Sequence, residues 1–169
     1  MSTVLGNLVW VLPRPRLEKD RSYYPGSFPL HFEKRLWRIL GKPEQVLHNF
    51  GGKAEIGIRV DLKRDVKPDV IADAHHLPFR NNIFNTVICD PPYSDEETNK
   101  LYGVSTPLKY KIWLKEAERV LKDRGFLVQY HDRWLPRPKS CSYWMRIIVL
   151  VSQHHRGRIC GIFQKEVPD

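Results

Sequence analysis

The sequence predicts an α/β fold built on a compact, mostly parallel sheet of seven strands. Four apolar runs have the length and composition of buried strands, and each ends on a glycine turn or an aspartate. These runs are residues 45–50, 57–62, 69–74 and 85–90. Residues 125–131 predict a fifth strand, and residues 146–153 and 158–166 predict a terminal hairpin with one antiparallel strand. Because ligands of open α/β sheets bind beyond the carboxyl ends of the strands, the four polar ends predict one crevice.

Two helices are predicted from apolar residues that recur at helical spacing. The first ends at Gly41, and the second spans residues 107–122. The apolar faces are formed by Phe32, Leu36, Trp37 and Leu40 in the first helix and by Tyr110, Trp113, Leu114, Ala117, Val120 and Leu121 in the second. Residues 5–12 predict either a strand or an apolar arm. We expect a single domain over residues 1–169, with residues 1–23 as an N-terminal arm.

The charge of the chain favours an anionic partner. The formal net charge is +9, and residues 109–169 hold 13 Lys and Arg against 6 Asp and Glu. Lysine and arginine release counterions when they neutralise phosphates, so DNA or RNA is the expected partner. A soluble basic protein without such a partner would have the same composition, and this alternative stays open.

The cysteines and the apolar runs indicate where in the cell the protein is expected. Cys89, Cys141 and Cys160 show no CxxC spacing, which predicts reduced thiols and neither a disulfide framework nor a zinc site. The first 16 residues lack the features of a signal peptide, and the apolar runs are shorter than a membrane span. We therefore expect a cytoplasmic protein without a membrane partner. His75 and His76 are expected to be solvated rather than metal ligands, so no metal is expected.

The end of the fourth strand has an unusual composition. It runs into Asp90-Pro91-Pro92-Tyr93, hereafter the DPPY motif. Two prolines fix two φ angles and remove two backbone donors, so the acid and the aromatic ring are held in a stiff, extended segment. A plain strand end with a capping aspartate and a turn is the alternative. Asp61 and Asp73 can likewise be turn or helix caps.

In this position the DPPY motif resembles that of the class I S-adenosylmethionine-dependent methyltransferases that modify exocyclic amines of nucleic-acid bases. Other segments are similar to the cofactor motifs of this family, in the family's order. They are Phe50-Gly51-Gly52 after the first strand, Asp61 and Leu62 at the end of the second, residues 72–79 with Asp73 and Ala74, and residues 24–29 with Phe28 and Pro29. The resemblance covers roughly residues 24–165 and implies a Rossmann-like sheet and S-adenosylmethionine as cofactor.

The resemblance also implies roles for single residues. Asp90 and the Pro91 carbonyl would accept the two hydrogens of the target amine, Pro92 would stiffen the segment, and Tyr93 would stack on the base. Asp61 would accept from the ribose hydroxyls of the cofactor, and Asp90 would border the cofactor site. Asp73 would accept from the adenine amine of the cofactor, and Ala74 would donate its N–H to the adenine ring.

The sequence departs from the family pattern in two places. Only eight residues separate Gly52 from Asp61, too few for a helix and a strand, so the first crossover is predicted to be truncated or irregular. No segment is long enough for a separate target recognition domain. Sequence specificity is therefore expected to be low, or to come from a partner protein or from the shape of the substrate.

The expected reaction is methyl transfer to adenine N6 in DNA, with cytosine N4 next. An RNA base methyltransferase and a non-catalytic nucleic-acid-binding partner with the same fold remain alternatives, and the oligomeric state stays open. Cations interleaved with aromatic rings predict a nucleic-acid surface. Its residues are Arg133, Trp134, Arg137 and Lys139, extended by Arg156 and Arg158; Tyr143 and Trp144 lie nearby, and Trp144 fits the core equally well.

Overall fold

The structure is a computed structural model that describes residues 6–13, 28–103, 108–151 and 157–168. Within these residues the chain forms eight strands and three α-helices. The strands are β1 (Asn7–Leu12), β2 (Val46–Asn49), β3 (Ile58–Asp61), β4 (Val70–Ile71), β5 (Phe84–Cys89), β6 (Leu121–His131), β7 (Cys141–Val151) and β8 (Arg158–Lys165). The helices are α1 (Phe32–Leu40), α2 (Asp95–Tyr102) and α3 (Tyr110–Val120). None of the helices in the described part of the chain combines the length and apolar character needed to cross a membrane.

The strands form one sheet in the order β1-β7-β8-β6-β5-β2-β3-β4. Strand β8 runs antiparallel to both β6 and β7, and the remaining neighbouring pairs are parallel. The carboxyl ends of β2, β3, β4 and β5 therefore meet at one edge. This arrangement confirms the predicted Rossmann-like α/β sheet with a C-terminal antiparallel hairpin; the hairpin turn itself, residues 154–157, lies mostly outside the described residues.

The sheet has one strand more than the seven predicted. The additional strand is β1, in the segment for which the sequence left a strand or an apolar arm open. It lies parallel to β7, with Val9 beside Ile148. Buried and exposed side chains alternate at the end of β1, as in a strand with one core face. Trp10 and Leu12 are buried in the core, and the Trp10 ring meets Phe32 edge-on at 6.0 Å. An arm without this alternation would have had no core face.

Helices α3 and α1 pack against two different hydrophobic clusters of the sheet. Trp113, Ala117 and Val120 of α3 belong to a cluster with residues of β2, β5 and β6. Phe32 and Leu36 of α1 belong to a second cluster, with residues of β1, β7 and β8. Both helices follow the predicted apolar periodicity, except that α3 ends at Val120, so Leu121, which was predicted on its apolar face, begins β6. Gly41 ends α1 with a positive φ of 91°, which glycine adopts without strain, and donates its N–H to the Trp37 carbonyl at 2.9 Å.

Helix α2 is absent from the sequence prediction. Its residues, DEETNKLY, lack an apolar stripe, so the periodicity gave no indication of a helix. Its start is a variant of the capping box: Ser94 Oγ accepts from the Glu97 N–H at 3.1 Å, and Glu97 Oε2 accepts at 2.6 Å from the N–H of Tyr93, the residue before the cap. The Ser-x-x-Glu spacing was therefore the available signal.

The first crossover is truncated, as predicted. Residues 50–57 form turns and bends that connect β2 directly to β3. Phe50 lies in the left-handed region at φ 63°, a conformation that few residues with a side chain adopt. Gly51 packs against β3, and a Cβ added to it would lie 2.7 Å from Arg59 Cβ. The short connection therefore depends on a close approach of two backbones.

Replacing Gly51 with alanine is expected to destabilise the protein by about 1–3 kcal/mol, because the new methyl group meets Arg59 below van der Waals distance. Urea unfolding measures the loss. Gly103→Ala is the matched control: Gly103 has φ 66°, and a Cβ added to it would meet no described atom within 4 Å, so the variant carries only the backbone strain. Equal losses in both variants would contradict the steric account.

Candidate functional site

The carboxyl edge of the sheet holds a cleft of about 200 Å³. It is lined by Asn49, Phe50, Val60, Asp61, Leu62, Ala72, Asp73, Ala74, His75, Thr98 and Leu108. The structure therefore brings together five of the predicted cofactor residues: Phe50, Asp61, Leu62, Asp73 and Ala74. The parallel alignment of β2, β3 and β4 explains this, because their ends lie side by side at one edge.

Asp61 is the acid at the end of β3, and only 4% of it is exposed. Its Oδ2 accepts from the Gly52 N–H at 3.0 Å, and its Oδ1 accepts from the Lys63 N–H at 2.9 Å. The carboxylate thus fastens the glycine turn to the end of β3. Each oxygen retains a second lone pair, so Asp61 can accept hydrogen bonds from a ligand as well. Gly51 and Gly52 are not among the residues that line the cleft.

Asp73 is held by its neighbour His75. Asp73 Oδ1 accepts from the His75 N–H at 2.9 Å and lies 2.7 Å from His75 Nδ1. The Lys109 N–H donates to His75 Nε2 at 3.0 Å, so the ring proton sits on Nδ1 and points at Asp73. Burial raises the pKa of Asp73, but the hydrogen bonds from the His75 N–H and ring outweigh it and leave that pKa below its usual range.

The arrangement corrects one expectation about the histidines. His76 is exposed, as expected, but His75 is largely buried and both of its ring nitrogens are engaged. Both ring nitrogens of His75 make contacts within the protein, so the residue links Asp73 to Lys109 rather than being solvated. The sequence could not show this, because Lys109 lies 34 residues further along the chain.

Asn49 lines the cleft and was missed in the sequence. It is the last residue of β2 and is 1% exposed, yet neither its amide nitrogen nor its amide oxygen has a hydrogen-bond partner among the described residues. A buried polar group without a partner costs about 1–3 kcal/mol. The amide of Asn49 is therefore suited to contact a polar ligand or water in the cleft. Its place before the Phe50-Gly51-Gly52 turn was the available signal.

The DPPY motif follows β5 and is fixed at both ends. The Asp90 N–H donates to the Asn49 carbonyl at 3.4 Å, which ties the motif to β2. The Tyr93 N–H donates to Glu97 of α2, and the Tyr93 carbonyl accepts from Arg133 at 3.1 Å. The Tyr93 hydroxyl lies 3.4 Å from Asp90 Oδ1, as a donor. The acid and the ring thus lie close together.

The surroundings of Asp90 disfavour its charged form. Burial raises the pKa of Asp90 well above its usual range, and the charge of Glu97 raises it further. The Tyr93 hydroxyl and the charge of Arg158 act in the opposite direction. The pKa of Tyr93 is itself raised, first by burial and then by Asp90, so its hydroxyl stays protonated and can donate.

Asp90→Asn is expected to stabilise the protein at neutral pH, with the gain disappearing in acid. A carboxyl whose pKa is raised by folding contributes its full stability below the unfolded pKa and loses it as the pH rises through the folded pKa. Urea unfolding at pH 7 and near pH 3 measures the difference.

Asp69→Asn is the contrasting control for this prediction. The backbone hydrogen bond from Arg59 lowers the pKa of Asp69, so the neutral amide there is expected to destabilise the protein at neutral pH. A loss of stability on Asp90→Asn at neutral pH would show that burial does not dominate at Asp90.

Phe28 and Pro29 lie on the α1 side of the sheet. The Phe28 ring stacks on Phe32 at 4.8 Å and meets Tyr130 edge-on at 5.3 Å. Pro29 is buried, and its carbonyl accepts from the Phe32 N–H at 3.1 Å. Phe28 thus packs against the second core cluster, and neither residue lines the cleft. Residues 24–27 of the same predicted motif lie outside the described residues, so the role of this motif in cofactor binding stays a prediction.

The predicted nucleic-acid residues fall into two groups. Arg133 and Arg158 lie at Tyr93: Arg133 donates to its carbonyl, and the Arg158 guanidinium lies 4.7 Å from the centre of its ring. Arg137 donates to the carbonyl of Cys141 at 2.6 Å, at the start of β7. Because His131 pairs with Ile159 and Cys141 pairs with Lys165, the second group lies roughly 20 Å further along β8.

The remaining residues of that surface have other neighbours. Lys139 is exposed and donates its N–H to Glu118 at 3.3 Å. Trp134 is 37% exposed, and the Arg146 guanidinium covers its ring at 3.9 Å. Trp144 packs against Phe126 at 4.9 Å and is half-buried, so it belongs to the margin of the core. Arg156 lies outside the described residues.

Comparison with known proteins supports the fold. No family model matches the chain, and no curated protein matches its sequence. Among solved structures, the MccD protein matches with a TM-score of 0.50 and 12% identity, over 78% of this chain and 95% of its own. An S-adenosylmethionine-dependent methyltransferase from Aquifex aeolicus matches with a TM-score of 0.47 and 14% identity, over 80% of this chain and 90% of its own. Identities this low concern the fold alone.

Proposed function

We propose that this chain transfers a methyl group from S-adenosylmethionine to an exocyclic amine of a nucleic-acid base, adenine N6 in DNA first and cytosine N4 next. One observation carries the proposal. The DPPY motif is held rigidly at the carboxyl end of β5, and the Asp90 N–H is bonded to Asn49, which lines the cleft. Asp90 and Pro91 do not line the cleft themselves, but through Asn49 this acceptor pair for an amine is linked to a cleft whose acids suit a nucleoside.

The residues of the cleft fit S-adenosylmethionine. Asp61 has lone pairs to accept from ribose hydroxyls, and Asp73 retains Oδ2 for the amine of an adenine. Asn49 adds a buried amide without a partner among the described residues, able to donate and to accept. When bound, the cofactor supplies an electrophilic methyl group on a sulfonium. The protein then has to bind the cofactor and the base, orient them and exclude water.

Asp90 and Pro91 have the chemistry that methylation of an exocyclic amine requires. The lone pair of such an amine is delocalised into the base, so the nitrogen is a poor nucleophile. When the Asp90 carboxylate and the Pro91 carbonyl accept its two hydrogens, the nitrogen becomes more tetrahedral and its lone pair is directed away from the ring. Orientation within about 3–3.5 Å of the methyl group then supplies much of the rate.

Tyr93 has two tasks in this proposal. Its hydroxyl donates weakly to Asp90 Oδ1 at 3.4 Å, so an incoming amine can take its place on the carboxylate. Its ring, bordered by His131 at 4.9 Å and by Arg158, would stack on the base. A base must leave its helix, or be presented in a single strand, to reach this position.

The proposal is tested by transfer of labelled methyl groups from S-adenosylmethionine to DNA and RNA, each single-stranded and double-stranded. We expect incorporation into DNA that requires adenine or cytosine, and none with Asp90→Ala. Incorporation into RNA alone would replace the DNA substrate with an RNA base. A chain that binds nucleic acid but transfers no label to any of the four would be the non-catalytic partner.

Nucleic-acid binding is expected to depend strongly on salt. Replacing Arg133, Arg137 and Lys139 together with glutamine should reduce the slope of log K against log salt by roughly two to three units for duplex DNA, one for each lost phosphate contact. Fluorescence anisotropy with a labelled oligonucleotide measures the slope. The control replaces Lys34, Arg35 and Lys42, which lie in or just after α1 and do not line the cleft. An unchanged slope in the first variant would remove this segment from the phosphate path.

The short loop between β6 and β7 offers no separate element for recognising the nucleotide sequence of the substrate. The loop between β6 and β7 has only nine residues, 132–140, and its contacts attach it to the sheet and to α3. We propose that specificity is low or is supplied by a partner protein or by the shape of the substrate. Comparing methylation of oligonucleotides of varied sequence, with the isolated chain, tests this directly.

A further inference from the structure

Arg158 enters the candidate site through the antiparallel strand. β8 runs against β6, and Ile159 pairs with His131, the last residue of β6. The first residue of a strand lies beside the end of the strand with which it pairs in antiparallel orientation. Arg158, the first residue of β8, therefore reaches the edge that carries the DPPY motif, although it lies 65 residues from Tyr93 in the sequence.

The contacts of Arg158 are with the DPPY motif. Its guanidinium lies 4.7 Å from the centre of the Tyr93 ring, within the range of a cation–π interaction, and it hydrogen-bonds to the Tyr93 side chain. The residue is half-buried, which strengthens both contacts relative to water. Its positive charge also acts on Asp90.

We propose that Arg158 is a positioning residue for the DPPY motif, which fixes the Tyr93 ring and stabilises the negative charge on Asp90. The inference rests on the proposed function, since it assigns Arg158 a task in the same reaction. Asp90 is a stronger acceptor for the hydrogens of an amine as a carboxylate than as a neutral acid. Removal of Arg158 would leave the opposing effects of burial and Glu97 without this counterweight, and the pKa of Asp90 would rise further.

The other groups around the motif do not replace Arg158. Glu97 of α2 carries the opposite charge, and the hydroxyl of Tyr130 on β6 is neutral because burial raises its pKa. His131 also lies on β6; its pKa is lowered, mainly by burial, so it is neutral near pH 7. Arg133 is far more exposed and contacts the Tyr93 carbonyl rather than the ring; its charge acts on His131.

The charge effect is tested without cofactor or nucleic acid. Protein labelled with ¹³C at the aspartate carboxyls is titrated by NMR, and the Asp90 resonance is the one missing from Asp90→Asn. In Arg158→Gln the Asp90 midpoint is expected at higher pH than in the wild type, whereas in Arg133→Gln it should stay unchanged. An unchanged midpoint in Arg158→Gln, or an equal shift in Arg133→Gln, would overturn the inference.

Arg158→Lys is the second variant, because it keeps the charge and loses the flat guanidinium. Its Asp90 midpoint should remain at the wild-type value, while the ring resonances of Tyr93 should move. Unmoved ring resonances would overturn the assigned ring contact. Because Arg158→Lys retains the positive charge, it still tests the contact with the Tyr93 ring if Arg158→Gln does not fold.

Kinetics separate positioning from phosphate binding. Arg158→Gln is expected to lower kcat about tenfold at pH 7, with KM for nucleic acid little changed and with part of the loss recovered at higher pH. A raised KM with unchanged kcat would assign Arg158 to a phosphate and overturn the inference. A wild-type protein that transfers no methyl group would refute the proposed function instead, and the NMR titration would still decide the charge effect of Arg158.

Discussion

Replacing Asp90 with alanine is expected to lower the single-turnover rate of methyl transfer by about three orders of magnitude. The carboxylate is one of the two acceptors that redirect the lone pair of the amine, and alanine removes it without filling its place. Affinity for the cofactor should remain within about twofold, because Asp61, Asp73 and Asn49 supply the polar contacts in the cleft. Rapid-quench assays with labelled cofactor measure the rate, and calorimetry measures the affinity.

Asp90→Asn is the matched control for this prediction. Asparagine keeps the size of the side chain and one acceptor oxygen, so the Tyr93 hydroxyl retains a partner, but the carboxylate charge is lost. We expect a rate far below the wild type in a protein that folds at least as stably. A wild-type rate in Asp90→Ala would remove Asp90 from the chemical step, and a wild-type rate in Asp90→Asn would show that an acceptor oxygen suffices without the charge.

Replacing Asp61 with alanine is expected to weaken binding of S-adenosylmethionine by about 2–4 kcal/mol, a factor of roughly 30 to 1,000 in Kd. The sequence predicts this from lost bonds to the ribose. The structure adds a second cause: Asp61 also holds the Gly52 and Lys63 N–H groups, so alanine loosens the glycine turn as well. Calorimetry measures Kd, and urea unfolding separates the local effect from a loss of fold.

Asp65→Ala is the control for Asp61. Asp65 lies close by in the single 3-10 turn Arg64–Val66, is exposed and is outside the lining of the cleft. Its replacement should leave Kd unchanged. Equal Kd values for the Asp61→Ala variant and the wild type would show that the ligand does not contact the end of β3.

The predicted residues that the structure brings together in the cleft share one property: their position follows from a single strand. Asp61 and Asp73 were recognised because each follows an apolar run, and parallel strands bring such ends to one edge. Val70 and Ile71 alone form β4, so even a very short strand was sufficient to place Asp73. The eight-residue crossover was likewise visible as a distance along the chain.

The residues that the sequence did not reveal depend on contacts between distant segments. His75 is engaged by Lys109, and Arg158 reaches Tyr93 only because β8 is antiparallel beside β6. Composition assigned Arg158 to a phosphate surface with Arg133 and Arg137, since charge along the chain cannot show which guanidinium lies over a ring. Asn49 required knowledge that its amide lacks partners among the described residues, which only the packing shows.

Mass spectrometry of nucleosides tests the central claim most directly. DNA and RNA free of methylation are incubated with the protein and S-adenosylmethionine that carries a deuterated methyl group, then digested to nucleosides. We predict deuterated N6-methyladenine from DNA, or N4-methylcytosine in its place, and none with Asp90→Ala. Label found solely on a ring carbon or ring nitrogen would contradict the account, because the DPPY motif would then not be acting on an exocyclic amine.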